Sequence, residues 1–223
     1  MKGFLFDLDG TLVDTAIDML QALKLLAAED GKSINPKYEQ YKELITYGSK
    51  AIVGSIYGQV KPQDFKILQK RYLTIYEKIL TQGSCLFTGI AEVIKQLDNA
   101  KIPWGIVTNK PYYLAKPLVD SLTELSNCGV LIGGDSCQYS KPHPQPLQKA
   151  IEQLKINPHK SWYIGDAQSD IQAGKAAKMQ TAVALWGYLS ASDEVHSWQA
   201  NMHLNQPQQI ITQISPRACG DSV

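Results

Sequence analysis

The sequence predicts an α/β fold built on a parallel sheet, with a small helical segment inserted after the first strand. Three observations carry that prediction. Short apolar runs recur along the chain and end in Asp, Gly, Thr or Asn, and helix-like stretches lie between most of them. The stretch from Thr15 to about Ser84 breaks this alternation, with helical periodicity and no convincing strand.

Gly3-Phe4-Leu5-Phe6 reads as a buried strand that delivers Asp7 at its carboxyl end, where open α/β sheets place ligands. Further strands are expected at Trp104 to Val107, Val130 to Ile132, Trp162 to Ile164 and Thr181 to Ala184. Between them, Ile90 to Ala100 carries Ile90, Val93, Ile94 and Leu97 on one face. Pro146 to Leu154 carries Leu147, Ala150, Ile151 and Leu154, and Ile171 to Ala177 is short and rich in Ala. In the inserted stretch, helical spacing runs through Met19, Leu20, Leu23, Leu26 and Ala27, then from Tyr38 to Ile56, then from Phe65 to Leu80. Asn35-Pro36 and Lys61-Pro62 separate these segments. The predicted division is a core of residues 1–14 and 85–223 and a helical insert of residues 15–84.

Composition narrows the function. Lys and Arg number 22 against 21 Asp and Glu, so there is no broad basic face to hold a nucleic-acid backbone. The apolar opening gives way to turn formers at Asp7 to Gly10, too early for a signal or membrane-spanning segment. A cytoplasmic protein, with no nucleic-acid or membrane partner, is expected. Cys85, Cys128, Cys137 and Cys219 form no Cys-x-x-Cys and are expected to be reduced structural thiols. His143, His159, His196 and His203 show no ligand spacing. No Gly-x-Gly-x-x-Gly or P-loop occurs.

The chemistry is concentrated in Asp7-Leu8-Asp9-Gly10-Thr11. Positions two apart in extended chain project to the same side, so Asp7 and Asp9 can converge on one reacting group, one attacking while the other moves protons. Gly10 permits a turn, and the Thr11 hydroxyl can face an oxyanion. Gly165-Asp166-Ala167-Gln168-Ser169-Asp170 adds two carboxylates at the same sheet edge. That much negative charge requires a cation, and hard oxygen ligands without His or Cys favour Mg²⁺. Thr108, Asn109 and Lys141 offer a hydroxyl, an amide and an ammonium, the groups that the oxygens of a transferring phosphoryl group need.

These four segments, in this order, resemble the haloacid-dehalogenase-like phosphohydrolases over nearly the whole chain. The resemblance implies a Rossmann-like core and a small helical cap that closes over the site. It implies Asp7 as nucleophile forming an aspartyl-phosphate, Asp9 as general acid and then base, and Thr108 and Lys141 on the phosphoryl oxygens, with Lys141 also restraining Asp7. Mg²⁺ would be held by Asp7, the Asp9 carbonyl and Asp166, with Asp170 in support. Asp9 argues for a phosphate monoester, because the dehalogenase and phosphonatase branches lack an acid there.

Thr46-Tyr47-Gly48-Ser49-Lys50 resembles the cap segment that faces the substrate in the phosphoglycolate phosphatase subgroup, making Tyr47, Ser49 and Lys50 candidate specificity contacts. Val107 to Pro111, Trp186-Gly187-Tyr188, Trp198-Gln199-Ala200-Asn201 and Asn205-Gln206-Pro207 resemble both that subgroup and relatives acting on N-acetylmuramic acid 6-phosphate. Gln199 stands where the family often has Gly. The expected enzyme hydrolyses a small phosphate ester as a monomer or homodimer. A hexose-phosphate mutase is an alternative, and a phosphoacceptor signalling domain is one from another class.

Overall fold

A computed structural model describes residues 1–190 and 192–214. Six parallel strands form one sheet in the order β5-β4-β1-β6-β7-β8. The strands are β1 (Phe4–Phe6), β4 (Trp104–Val107), β5 (Leu131–Ile132), β6 (Trp162–Gly165), β7 (Gln180–Ala184) and β8 (Met202–Leu204). The three residues of β1 are buried and lie between two neighbours, Phe4 pairing with Trp104 on one side and Trp162 on the other. A strand buried on both faces needs a run of apolar residues, and Phe-Leu-Phe supplies it. The five expected strands are present. The sixth, β8, is an addition at the edge, with the sequence Met-His-Leu.

Alternation of side chains divides the core between the two faces of the sheet. Phe4, Phe6, Ile106 and Ile164 pack with α5 (Ile90–Asn99) and α6 (Tyr112–Ser121). Leu5, Val107, Ile132 and Tyr163 pack on the opposite side with α7 (Gln145–Leu154) and α8 (Gln168–Ala176). Gly105 has a backbone role in the middle of this arrangement. A side chain there would run into Val130 and Leu5, so glycine lets β4 sit close to its neighbours.

A two-stranded antiparallel ribbon, β2 (Val13–Asp14) with β3 (Cys85–Leu86), carries the chain out of the sheet and back. Between its strands lie α1 (Ala16–Glu29), α2 (Tyr38–Thr46), α3 (Gly48–Tyr57) and α4 (Pro62–Ile79). The helical run expected from Tyr38 to Ile56 is interrupted at Gly48, whose φ of 71° is readily adopted by glycine. Pro62 starts α4, where a missing N–H costs nothing. Arg71 on α4 bridges Glu29 and Asp30 at the end of α1, and the Tyr57 hydroxyl from α3 donates to Asp30. No helix among the described residues is long and apolar enough to cross a membrane. Cys85, Cys128 and Cys137 are free thiols, while Cys219 lies outside the described residues.

Asp18 fastens the two crossings together. It is buried on α1 and accepts hydrogen bonds from the Gly83 and Ser84 amides at 2.8 Å and from the Ser84 hydroxyl at 2.6 Å. Hydrogen bonds to a charged group contribute about 1.5–3 kcal/mol each, and a buried amide left without a partner costs a similar amount. Asp18→Ala should therefore lower the unfolding free energy by at least about 2 kcal/mol, read from the shift of the urea denaturation midpoint.

Candidate active site

The carboxyl ends of β1, β4 and β6 bring Asp7, Thr108 and Asp166 to one edge of the sheet. Asp170 reaches them from the first turn of α8, and Lys141 from the loop before α7. Carboxylate oxygens of Asp7, Asp166 and Asp170 lie within 4.8 Å of one another. Lys141 Nζ sits 2.9 Å from Asp7 Oδ1 and 2.7 Å from Asp170 Oδ1, near the Tyr163 hydroxyl at 2.8 Å and the Val107 carbonyl at 3.1 Å. The carboxylates and the ammonium are almost closed to solvent, with Asp7 keeping 9% of its surface and Asp170 none.

Three carboxylates against one ammonium leave an excess of negative charge in a dry site. Burial pushes Asp7 up to about 7, helped by Asp170 and Asp9 and opposed by Lys141. Asp166 is driven well above the ordinary carboxylate range, first by burial and then by Asp7 and Asp170. Burial pulls Lys141 down, but Asp170 and Asp7 outweigh it, so the ammonium is held more firmly than an ordinary lysine. Asp7 Oδ1 is close enough to Lys141 for an ion pair but out of line for a hydrogen bond, and it is buried with no donor. An unsatisfied buried oxygen, two carboxylates beside it and the absence of His or Cys make a donor set suited to a hard dication such as Mg²⁺.

The surrounding bonds fix each ligand. Asp166 Oδ1 accepts from the Thr11 hydroxyl and Oδ2 from the Tyr188 amide, both at 2.9 Å. The Thr11 hydroxyl is fully buried and spent on Asp166, which makes it a support of that carboxylate and not an open oxyanion contact. Gly10, with φ of 81°, leaves room that a Cβ would take from Asp166 and the Tyr188 ring. Asp170 is occupied on both oxygens, by Lys141 and Tyr163 on one and by the Ala167 amide on the other. Asn109 and Lys141 exchange hydrogen bonds at 3.1 Å, the Asn109 side chain donating to the Lys141 carbonyl and accepting from its amide. Asn109 thus holds the loop that carries Lys141.

Asp9 stands slightly apart. Its Oδ1 accepts from the Thr15 hydroxyl at 2.7 Å and from Lys110 Nζ at 2.9 Å. The sequence reading gives no site role to Lys110, or to Tyr163 and Tyr188, which lie against Lys141 and Asp166. Thr108 is buried, its amide bonded to the Ile132 carbonyl and its hydroxyl accepting from the Lys110 amide. On the inserted helices, the Thr46 hydroxyl donates to the Tyr188 carbonyl, one peptide from the amide that holds Asp166. Tyr47 next to it is 71% exposed, the Ser49 hydroxyl accepts from Gln69, and Lys50 is exposed. Among the described residues, these three make no hydrogen bond or ion pair with Asp7, Asp9, Asp166 or Asp170.

A carboxylate nucleophile candidate, a second acid two residues on and a lysine-balanced acidic cluster at a parallel sheet edge define a site of the hydrolase kind. Known proteins agree with that class. The sequence pattern of the haloacid dehalogenase-like hydrolases matches residues 4–184. A phosphoglycolate phosphatase of Xanthomonas campestris pv. campestris strain 8004 is 37% identical over 209 residues, covering 94% of each chain. An N-acetylmuramic acid 6-phosphate phosphatase of Pseudomonas putida is 31% identical over 223 residues, covering 99% of each. The crystal structure of a predicted phosphoglycolate phosphatase from Haemophilus somnus superposes with a TM-score of 0.85 at 22% identity, over 96% of this chain and 98% of that one. The chain belongs to the haloacid dehalogenase-like hydrolases. Within them it is a phosphatase, similar to the phosphoglycolate phosphatases.

The acidic cluster gives a pH signature. Asp7 is raised in the folded chain, so it favours folding while protonated, and that contribution is lost as pH rises from 3.8 through about 7. Asp166 acts in the same direction. The metal-free protein should therefore lose thermal stability across that window. Millimolar Mg²⁺ should raise Tm more at pH 7.5 than at pH 5, measured by calorimetry with and without EDTA.

Proposed function

We propose that this chain is a Mg²⁺-dependent phosphatase that hydrolyses a small organic phosphate monoester through an aspartyl-phosphate on Asp7, with 2-phosphoglycolate as its most fitting substrate. The observation that supports it best is the placement of Asp7, partly open and charge-balanced by Lys141, against Asp166 and Asp170. The donor set for the ion is the Asp7 and Asp166 carboxylates with the Asp9 backbone carbonyl. Asp170, both of whose oxygens are engaged, supports through its neighbours or a water. When bound, Mg²⁺ supplies positive charge that lets a phosphate dianion approach a carboxylate.

In this mechanism an Asp7 oxygen attacks phosphorus while the bond to the ester oxygen breaks, and Asp9 gives its proton to the departing alkoxide. Thr108 and Lys141 hold the equatorial oxygens, where charge builds. Water then attacks the phosphorus of the aspartyl-phosphate, Asp9 takes its proton, and the bond to Asp7 breaks to free phosphate. Residues 15–84 act as a cap over this chemistry, and Tyr47, Ser49 and Lys50 meet the substrate as the cap closes. The enzyme works in the cytoplasm as a monomer or homodimer, a setting that suits its free thiols. N-acetylmuramic acid 6-phosphate is the second substrate to consider, because the likeness to the Pseudomonas putida enzyme runs the length of the chain.

Phosphate release from 2-phosphoglycolate should require Mg²⁺ and stop in EDTA; undiminished turnover in the chelator would remove the metal from the mechanism. Asp7→Asn should abolish both turnover and phosphoenzyme. Asp9→Asn should retain phosphoenzyme formation from an aryl phosphate, whose leaving group needs less protonation, and slow its breakdown. Rapid quench with labelled substrate separates the two variants. Lys50→Ala should raise KM for the anionic substrate and leave p-nitrophenyl phosphate hydrolysis largely intact.

A further inference from the structure

We propose that Lys110, together with the Tyr76 hydroxyl, recognises a carboxylate carried on the leaving-group side of the phosphate ester, and so selects the substrate class. The inference rests on the phosphatase reading above. Lys110 is a buried ammonium, with 8% of its surface exposed, at the border between the sheet edge and the inserted helices. Its backbone amide is bonded to the Thr108 hydroxyl, which places it on the same turn as the phosphoryl contact. Its Nζ lies 2.9 Å from Asp9 Oδ1 and 2.8 Å from the Tyr76 hydroxyl on α4.

Burying an ammonium is costly unless its donors are matched. Lys110 has three N–H donors, and among the described residues its side chain has two partners, one of them a neutral phenol. The carboxylate it meets also accepts from Thr15. The Tyr76 phenol stays protonated, because burial first and the nearby Asp9 second raise it well above its ordinary range, against the opposing pull of the Thr15 hydroxyl beside it. A donor from the sheet edge and a donor from the helical insert therefore meet beside Asp9, with capacity left for an anion.

Geometry fixes where that anion would be attached. A general acid stands about 2.7 Å from the leaving oxygen it protonates, and Lys110 Nζ is 2.9 Å from the same carboxylate. A carboxylate one carbon beyond the ester oxygen would fall within reach of Nζ. The phosphoryl group would be taken by Lys141 and the carboxylate by Lys110, two buried lysines on either side of the bond that breaks. Because Tyr76 belongs to the insert and already meets Nζ, such an ester would be held by the sheet edge and the insert together.

The test compares the Mg²⁺-loaded wild type with Lys110→Met, Lys110→Arg and Tyr76→Phe on 2-phosphoglycolate and ethyl phosphate, which differ only at the carboxylate. Wild-type kcat/KM should favour 2-phosphoglycolate by about a hundredfold or more, the scale of a desolvated charge-assisted contact. Lys110→Met should cut that preference to below about tenfold, chiefly through KM, while Lys110→Arg keeps most of it. Tyr76→Phe should cost several-fold on 2-phosphoglycolate alone. Proportional loss on both esters in Lys110→Met would reduce Lys110 to a partner of Asp9 and overturn the inference, as would a wild type indifferent to the carboxylate. Should Lys110→Met fail to fold, an undiminished preference in Tyr76→Phe overturns it. A wild type that releases phosphate from neither ester nor p-nitrophenyl phosphate would overturn the phosphatase reading, and the inference with it.

Discussion

The buried ammonium of Lys141 is the contact on which the rest of the site depends. It lies between Asp7 and Asp170 in a space closed to water, with the Tyr163 hydroxyl and the Val107 carbonyl completing its surroundings. Without it, three carboxylates would face one another in a low-dielectric pocket, and the cheapest response would be to protonate them. With it, part of the negative charge is offset, and Asp7 and Asp166 are still held above the ordinary carboxylate range. The groups around Nζ come from β1, β4, β6 and α8, so one charge also ties together four pieces of the fold. Asn109, bonded to the backbone on both sides of Lys141, keeps that charge in place from outside.

Around this centre the support is graded. Asp166 is held by a threonine and a backbone amide, Asp170 by a lysine, a tyrosine and an amide, and Asp7 by an ion pair with no hydrogen-bond donor on its buried oxygen. The least satisfied of the three carboxylates is therefore the one proposed above to attack. That is the ordering expected of a nucleophile, whose lone pairs must stay free while its neighbours are immobilised. Tyr188 links this inner arrangement to the inserted helices. Its amide binds Asp166, its hydroxyl meets the Thr15 and Ala16 amides and Asp14, and its carbonyl accepts from Thr46.

Much of this was legible in the sequence because strand ends and acidic turns carry distinct local signals. Four of the sheet's strands are runs of apolar residues and glycine, a fifth ends in Ala-Val-Ala, and the Asp-rich segments follow two of them directly. Elements without such signals stayed hidden. The edge strand β8 has only one buried residue, the ribbon has two residues in each strand, and α6 carries Pro117 in its interior, which normally argues against a helix. The break at Gly48 was masked by apolar spacing that continues across it. Within the site, residue types pointed to the right places while partners did not. Nothing local tells that the Thr11 hydroxyl turns inward to Asp166, or that Lys110 buries its charge against a tyrosine 34 positions earlier. Those facts are made by long-range packing, which periodicity does not encode.

The central position of β1 has a consequence for how the protein is made. Its neighbours in the sheet begin at Trp104 and Trp162, so the first strand synthesised is flanked only after most of the chain exists. The helices of residues 16–79 have all their mutual partners within that stretch, α1 packing on α4, and are complete in the chain while β1 still waits. Asp7 leaves the ribosome early, and Lys141, Asp166 and Asp170 leave late. A nascent or truncated chain that stops short of Lys141 thus has Asp7 without the ammonium and carboxylates that later surround it, and leaves one edge of the Phe-Leu-Phe strand without β6.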